Sequence, residues 1–385
     1  MNTQPPLPFG PGSTVPALNS AEKIARMRLI RTESIGPTTF RALISQFKTA
    51  VKAIEAIPDL ARRGGRKKPL SIPSKSVIEK ELARIDAFGA TALILGDCDY
   101  PERLAATEDA PPVLIAKGAR HLADQPTIGI VGARNASSIG RQQAYKIAKD
   151  LAEAGVAVVS GLARGVDTAA HQGALMGGTI AVVAGGLDIY YPRENEELQK
   201  SISEQGLLVS DEPLGVQPQA RHFPKRNRII SGLSLGILVV EAAQRSGSLI
   251  TARLAGEQGR EVFAIPGSPL DPRAKGANAL IKSGATLVES SADILDALAG
   301  LQTPLAEPEG PAYGRQSLPV TEDISAQDRQ TLRDLLSPTP TRIDDLARDA
   351  GLDIGIVLTA LLELELAGTV ERLPGSKVAL CGASF

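Results

Sequence analysis

The chain has 385 residues, too long for one ordinary domain, so two or three are expected. Hydrophobic residues make up 43%, enough to bury real cores, and no apolar run reaches the roughly 18 residues that a membrane span needs. The net charge of −1 speaks against a nucleic-acid binder, but the charge is unevenly spread: residues 20–68 carry 12 Lys/Arg against 4 Asp/Glu, residues 121–299 carry 17 against 18, and residues 321–385 carry 6 against 11. Such asymmetry implies different partners for the two ends. Cys98 and Cys381 stand far apart, outside any Cys-x-x-Cys pattern. Neither a disulfide framework nor a zinc site is expected, and a reducing, cytoplasmic compartment fits.

Residues 1–19 are Pro-rich and uncharged, with no basic start followed by an apolar stretch. They are expected to be a disordered tail, not a secretory signal. Residues 20–57 are helical by pattern and run into the basic stretch 61–69, defining a small helical domain over 20–70. Ser34-Ile35-Gly36-Pro37 sits between two helical patterns, where Gly36 permits a tight turn. The N–H groups that open the following helix can hold a phosphate, as in a helix-hairpin-helix element that grips DNA without reading sequence. Pro37 departs from the usual Gly-x-Gly hairpin, so an ordinary helical hairpin is the alternative.

Residues 71–300 alternate short apolar runs with amphipathic helices. Strands are expected at 127–131, 156–160, 179–184, 207–210, 235–241 and 261–265, with helices such as 140–154 and 248–259 between most of them. Continuous apolar strands alternating with helices read as a parallel sheet covered on both faces. The fold class is α/β, with a Rossmann-like, doubly wound, mainly parallel sheet that binds its ligand at the carboxyl ends of the strands.

Four loops at those ends carry unusual chemistry. The first, Gly132-Ala133-Arg134, leads into a helix near Ser138, whose N-terminus and Arg134 favour an anion. It lacks the full Gly-x-Gly-x-x-Gly pattern and the acidic residue of a dinucleotide site. The second runs from Ser160 through Arg164 to Asp167 and His171; Asp167 is expected to cap a helix and His171 to have a core or capping role, while Arg164 faces the ligand. The third packs Arg221, Lys225, Arg226 and Arg228 beside Phe223, in a chain with only 3% aromatics. A base can stack on the ring while the cations take flanking phosphates, although Arg226 and Arg228 need not point the same way. The fourth opens a helix at Gly247 and Ser248, a second anion site. Gly232-Leu233-Ser234-Leu235-Gly236 matches Gly-x-Ser-x-Gly, but Ser234 precedes its strand instead of following it, so hydrolysis is not expected. No catalytic residue and no metal ligand set is assigned.

A linker rich in Pro, Glu and Gly is expected at 301–319, and a winged helix at 320–385: helices at 342–350 and 353–367, then a hairpin turning at Pro374-Gly375. The candidate recognition helix has no Lys or Arg but carries Asp353, Glu363 and Glu365. A duplex-reading helix usually carries basic residues, so this module is expected to contact protein, either a partner or the rest of the chain.

Gly132-Ala133-Arg134, the run from Ser160 to Asp167, the run from Phe223 to Ser234 and Ser246-Gly247-Ser248 occur in this order. With them the chain closely resembles the DNA-processing protein A (DprA/Smf) family over about residues 100–298. The resemblance implies a core that forms a homodimer, binds single-stranded DNA and loads the RecA recombinase onto it during natural transformation, with no nucleotide cofactor; with no triad, metal cluster or carboxylate pair in the sequence, no enzymatic turnover is expected. It also implies DNA contacts at Arg134, Phe223, Lys225, Asn227 and Arg228, with Ser248 a weaker one; the residue chemistry adds Arg164, Arg226 and Gly247. A rival reading is a Rossmann-like nucleoside-monophosphate phosphoribohydrolase, but the position of that family's catalytic Glu is Leu254 here, which cannot do acid–base work. A winged-helix transcription regulator is the third reading.

Overall fold

In the computed structural model the described residues are 16–301, 324–373 and 375–381. The expected linker beyond Leu301, Pro374 and most of the expected N-terminal tail lie outside them. The described residues form two compact units, one over 81–301 and one joining 18–80 with 324–381. No described helix is long and apolar enough to cross a membrane.

Three short helices open the chain: α1 (Ser20–Ile30), α2 (Pro37–Phe47) and α3 (Ala50–Arg63). The Asn19 side chain accepts from Glu22 N and that of Thr49 from Lys52 N, which sets where α1 and α3 begin. Pro37 occupies the first turn of α2, where its missing N–H costs nothing. Glu22 accepts from Arg26 at 2.9 Å and from Ala50 N at 2.8 Å, tying α1 to the start of α3 around buried Met27, Phe40, Leu43 and Ile57. The next helix, α4 (Lys75–Ala87), carries the chain into the other unit.

That unit holds β1 (Thr91–Ile94), α5 (Glu102–Ala105), β2 (Val113–Gly118), β3 (Thr127–Gly132), α6 (Ser138–Glu153), β4 (Ala157–Ser160), α7 (Val166–Ala174) and β5 (Thr179–Val182). It continues with α8 (Glu196–Gln205), β6 (Leu207–Ser210), α9 (His222–Leu233), β7 (Gly236–Val240) and α10 (Gly247–Glu257). It closes with β8 (Glu261–Ala264), α11 (Lys275–Lys282), β9 (Thr286–Leu287) and α12 (Ser291–Leu301). The sheet order is β1-β2-β6-β5-β4-β3-β7-β8-β9, with only the β1–β2 and β2–β6 pairs antiparallel. The six expected strands are present, shorter by a residue or two at several ends. β1 and β2 escape a pattern reading because no tight-turn signature joins them, and β9 is only two residues long. The chain runs outward through β4, β5 and β6, then returns to β7 on the other side of β3. Helices leave the β3 and β7 ends in different directions, so a crevice opens at that switch point.

The C-terminal residues form α13 (Ala326–Leu335), β10 (Thr341–Arg342), α14 (Ile343–Ala350), α15 (Ile354–Leu366), β11 (Val370–Leu373) and β12 (Lys377–Leu380). This helix, helix and hairpin arrangement is a winged helix. Sequence pattern separates it from the helical segment at 20–70, but the two pack together. Arg333 donates to Gly64 O at 3.0 Å, and Gly64 lies so near the Glu363 carbonyl that a Cβ there would come within 2.0 Å of it. Two carboxylates of α15, Glu363 and Glu365, are buried. Glu363 accepts from Arg329 at 2.6 and 3.1 Å, and Glu365 pairs with Arg372 at 3.2 Å and accepts from Thr39 at 3.4 Å. The surface of α15 near its C-terminal end therefore belongs to an intramolecular contact.

Candidate nucleic-acid interface

Two adjoining cavities lie at the carboxyl ends of β3, β4, β5 and β7. The first, about 500 Å³, is bounded by the loop after β3, the start of α9 and the start of α10. The second, about 590 Å³, lies towards the loop after β5. Arg134, Phe223 and Arg226 line both.

Backbone geometry puts these residues in place. Gly132 ends β3 where a Cβ would stand 1.9 Å from Val240 O, so only glycine lets β3 and β7 close up before the turn. Gly165 has φ +81° and approaches the Ala133 carbonyl, which brings the loop after β4 against the loop after β3. Phe223, Asn227 and Ile230 share one face of α9 at helical spacing, and all three line the first cavity.

Arg134 is exposed, and its guanidinium lies 5.4 Å from the Phe223 ring centroid. Across the cavity, Asn227 donates to Gly247 O at 3.5 Å, so Arg134, Phe223, Asn227, Gly247 and Ser248 come together. Ser246 caps α10, and a side chain at Gly247 would meet nothing within 4 Å, so the approach to this helix N-terminus is open. Arg164 lines the second cavity and forms an exposed ion pair with Glu194 at 3.7 Å. Lys225 is exposed on a neighbouring face of α9 and lines neither cavity.

Two residues expected at the DNA are turned inward. Arg226 is 5% exposed and donates to the Gly161 and Val182 carbonyls. Its outer face touches Phe223, 6.0 Å from the ring centroid, but the guanidinium is committed to joining the ends of β4 and β5. Arg228 donates to Asp109 O and to Asp211 at 3.1 Å, with a largely buried side chain. Successive cations on a helix point in different directions, so the four basic residues in this run cannot all serve one surface.

The start of α6, expected to hold an anion, is filled from within. The Glu241 carboxylate accepts from Ser137 N at 2.8 Å and from the Ser137 hydroxyl, and a Cβ at Gly140 would strike it. A side-chain carboxylate gains there what a phosphate would gain. Asp167 is not the cap of α7, since that position is Gly165. Its buried carboxylate reaches back to accept from Gly161 N at 3.2 Å and Ala163 N at 3.3 Å. Burial raises the Asp167 carboxyl to about 6, against the pull of the Arg226 charge. Burial, with Arg226 nearby, drops His171 to about 3, so it is a neutral core residue beside Thr179 at 2.7 Å. Arg226 is lowered by burial to about 10 and stays charged at neutral pH. Ser234 is buried, and its hydroxyl donates to Ile230 O.

Sequence reasoning did not single out Tyr190, Tyr191, Arg193, Arg245 or Arg273, which also line the cavities. Tyr191 packs on Phe223 with ring centroids 5.7 Å apart. The signal was present: a Tyr-Tyr pair beyond a strand end, in a chain with five tyrosines.

The sequence profile of DNA recombination-mediator protein A matches residues 91–299, more than half of the chain. The chain belongs to the DNA recombination-mediator protein A family. Profiles of the DprA-like N-terminal HHH domain and the DprA winged helix domain match residues 20–83 and 316–376. Protein Smf of Escherichia coli K12 is 43% identical over 315 residues, 81% of this chain and 83% of that protein. DNA processing protein DprA of Streptococcus pneumoniae is 46% identical over 220 residues, 57% of this chain and 76% of that protein. A solved DprA from Streptococcus pneumoniae superimposes with a TM-score of 0.62 at 36% identity, covering 73% of this chain and 98% of that one. DNA processing protein A from Helicobacter pylori, which binds single-stranded DNA, superimposes with a TM-score of 0.50 at 29% identity, covering 55% and 96%.

Proposed function

We propose that this protein is a recombination mediator that binds single-stranded DNA at the switch-point cavities, and that it serves DNA processing during natural transformation. The observation that carries this reading is the Arg134–Phe223 pair facing Asn227 and the open α10 N-terminus across the first cavity. A base stacks on Phe223, Arg134 takes a flanking phosphate, and the N-terminus of α10 takes another. None of these contacts reads a base edge, so binding tolerates any sequence. Lys225 supplies charge from the flank of α9. Loading of RecA onto the bound strand, a homodimer and a cytoplasmic location belong to the same reading.

No turnover is part of it. Leu254 is apolar where the phosphoribohydrolase reading needs a glutamate, and Glu241 is held by Ser137. Binding of single and double strands compared across a salt series tests the proposal. Single strands should bind tightly, with little sequence preference and with affinity falling as salt rises. Phe223→Ala should cost on the order of 1–3 kcal/mol. Wild-type affinity in both Phe223→Ala and Arg134→Ala would place the site elsewhere.

A further inference from the structure

We propose that the bound strand does not end at the Phe223 cavities but continues past Arg164 onto the α6–α7 surface, with Tyr145 as a second stacking platform and Arg141 as a phosphate contact. This rests on the reading of the cavities as a single-strand site.

The second cavity shares Arg164 with a third of about 490 Å³, so the proposed path runs through all three as one trough. The third is lined by Arg141, Gln142 and Tyr145 of α6, and by Thr168 and Gln172 of α7. No Asp or Glu lines it, although residues 121–299 hold about as many acidic as basic residues. Three of the chain's five tyrosines, Tyr145, Tyr190 and Tyr191, stand along this trough, each substantially exposed at 44%, 37% and 48%. Exposed rings spaced among cations are what a sequence-tolerant strand path requires.

The platform is also rigid. A Cβ at Gly173 would come within 2.2 Å of Tyr145 O, so α7 packs closely on α6 beneath the ring. Arg141 donates to Ala136 O at 2.7 Å, which steadies its head at the start of α6. The Arg164–Glu194 pair is long and more than half exposed, so a phosphate can displace the carboxylate at little cost. From Ser138 to Tyr145 the helix advances about 10 Å, room for about one or two nucleotides of an extended strand.

The test compares oligothymidylates of about six and about fifteen nucleotides, spanning the range such grooves cover. The full-length protein should bind the longer strand more tightly. Tyr145→Ala should weaken the long strand by about fivefold or more and leave the short one unchanged, and Tyr145→Phe should restore it. Arg141→Glu should weaken the long strand and flatten its salt dependence. Wild-type binding of the long strand by both Tyr145→Ala and Arg141→Glu would overturn the extension. Equal weakening of short and long strands would overturn it too, because Tyr145 would then act on the cavities or on the fold. If wild-type protein binds neither oligomer, or Phe223→Ala binds both as wild type does, the cavity reading itself falls and the extension falls with it.

Discussion

Replacing Arg226 by alanine should lower the melting temperature of the core steeply, as expected of a strut and not of a DNA contact. The guanidinium donates to the carbonyls that end β4 and β5, and its charge faces the buried Asp167 carboxylate. A hydrogen bond to a charged group is worth about 1.5–3 kcal/mol, and removing one partner of a buried charge pair costs about 3–5 kcal/mol. Two such bonds come to about 3–6 kcal/mol, which overlaps the pair figure, so about 3–5 kcal/mol is the expected loss. For a unit of this size that is roughly 6–20 °C. Thermal and urea unfolding of Arg226→Ala beside Lys225→Ala measures it, since Lys225 is exposed on the same helix and should change stability by about 0.5 kcal/mol or less. Arg226→Met combined with Asp167→Asn should lose less than the sum of the single changes, because neither charge is then stranded. If Arg226→Ala unfolds with the wild type yet loses single-strand affinity well below its midpoint, the strut argument is wrong.

Two further outcomes follow from buried groups. Asp167, at about 6 when folded against an ordinary 3.8, takes up a proton on folding between about pH 4 and 6, so its contribution is lost as pH rises through 6. His171, at about 3 against 6.5, does the reverse, and its contribution is lost as pH falls from 6.5 towards 3. The two oppose each other between pH 4 and 6. Asp167→Asn should therefore unmask His171 and make stability fall by up to about 1.4 kcal/mol per pH unit on acidification, where wild type stays flatter. Equal slopes in urea midpoints across that range would refute the coupling. In the other unit, truncation before Ile324 removes α15 from α3 and should speed amide exchange in α3 while leaving single-strand affinity near wild type. Unchanged exchange would show that the packing of α15 on α3 adds no stability.

The core was legible because its strands are continuous apolar runs such as Val156 to Val159, separated by helical stretches, the pattern of a parallel sheet covered on both faces. Phe223 and Arg134 stood out for the same reason: an aromatic among cations, and an arginine in a strand-to-helix turn, have no use in a core. Sequence could not tell which cations of the α9 run face inward. Lys225, Arg226 and Arg228 carry the same charge, and only the neighbouring carbonyls and Asp211 separate a contact from a strut. The union of 18–80 with the winged helix was hidden because nothing in the pattern of α3 or α15 names its partner. Likewise, nothing in the sequence pairs Glu363 with Arg329 or Glu365 with Arg372 and Thr39.

The internal filling of the α6 terminus shapes how the site can work. Glu241 occupies the α6 terminus with a carboxylate, so the phosphates are left with the α10 terminus and the arginines of the cavities. Residues 121–299 together carry a net charge of −1, so attraction to the strand is local and not a field of the whole unit. For single strands each neutralised phosphate contributes only about 0.7 to the salt slope. The slope therefore counts the arginines along the trough that meet phosphates, and tight binding draws on stacking as well. Phe223, Tyr191, Tyr190 and Tyr145 supply it along the trough, where among the described residues few other rings are exposed.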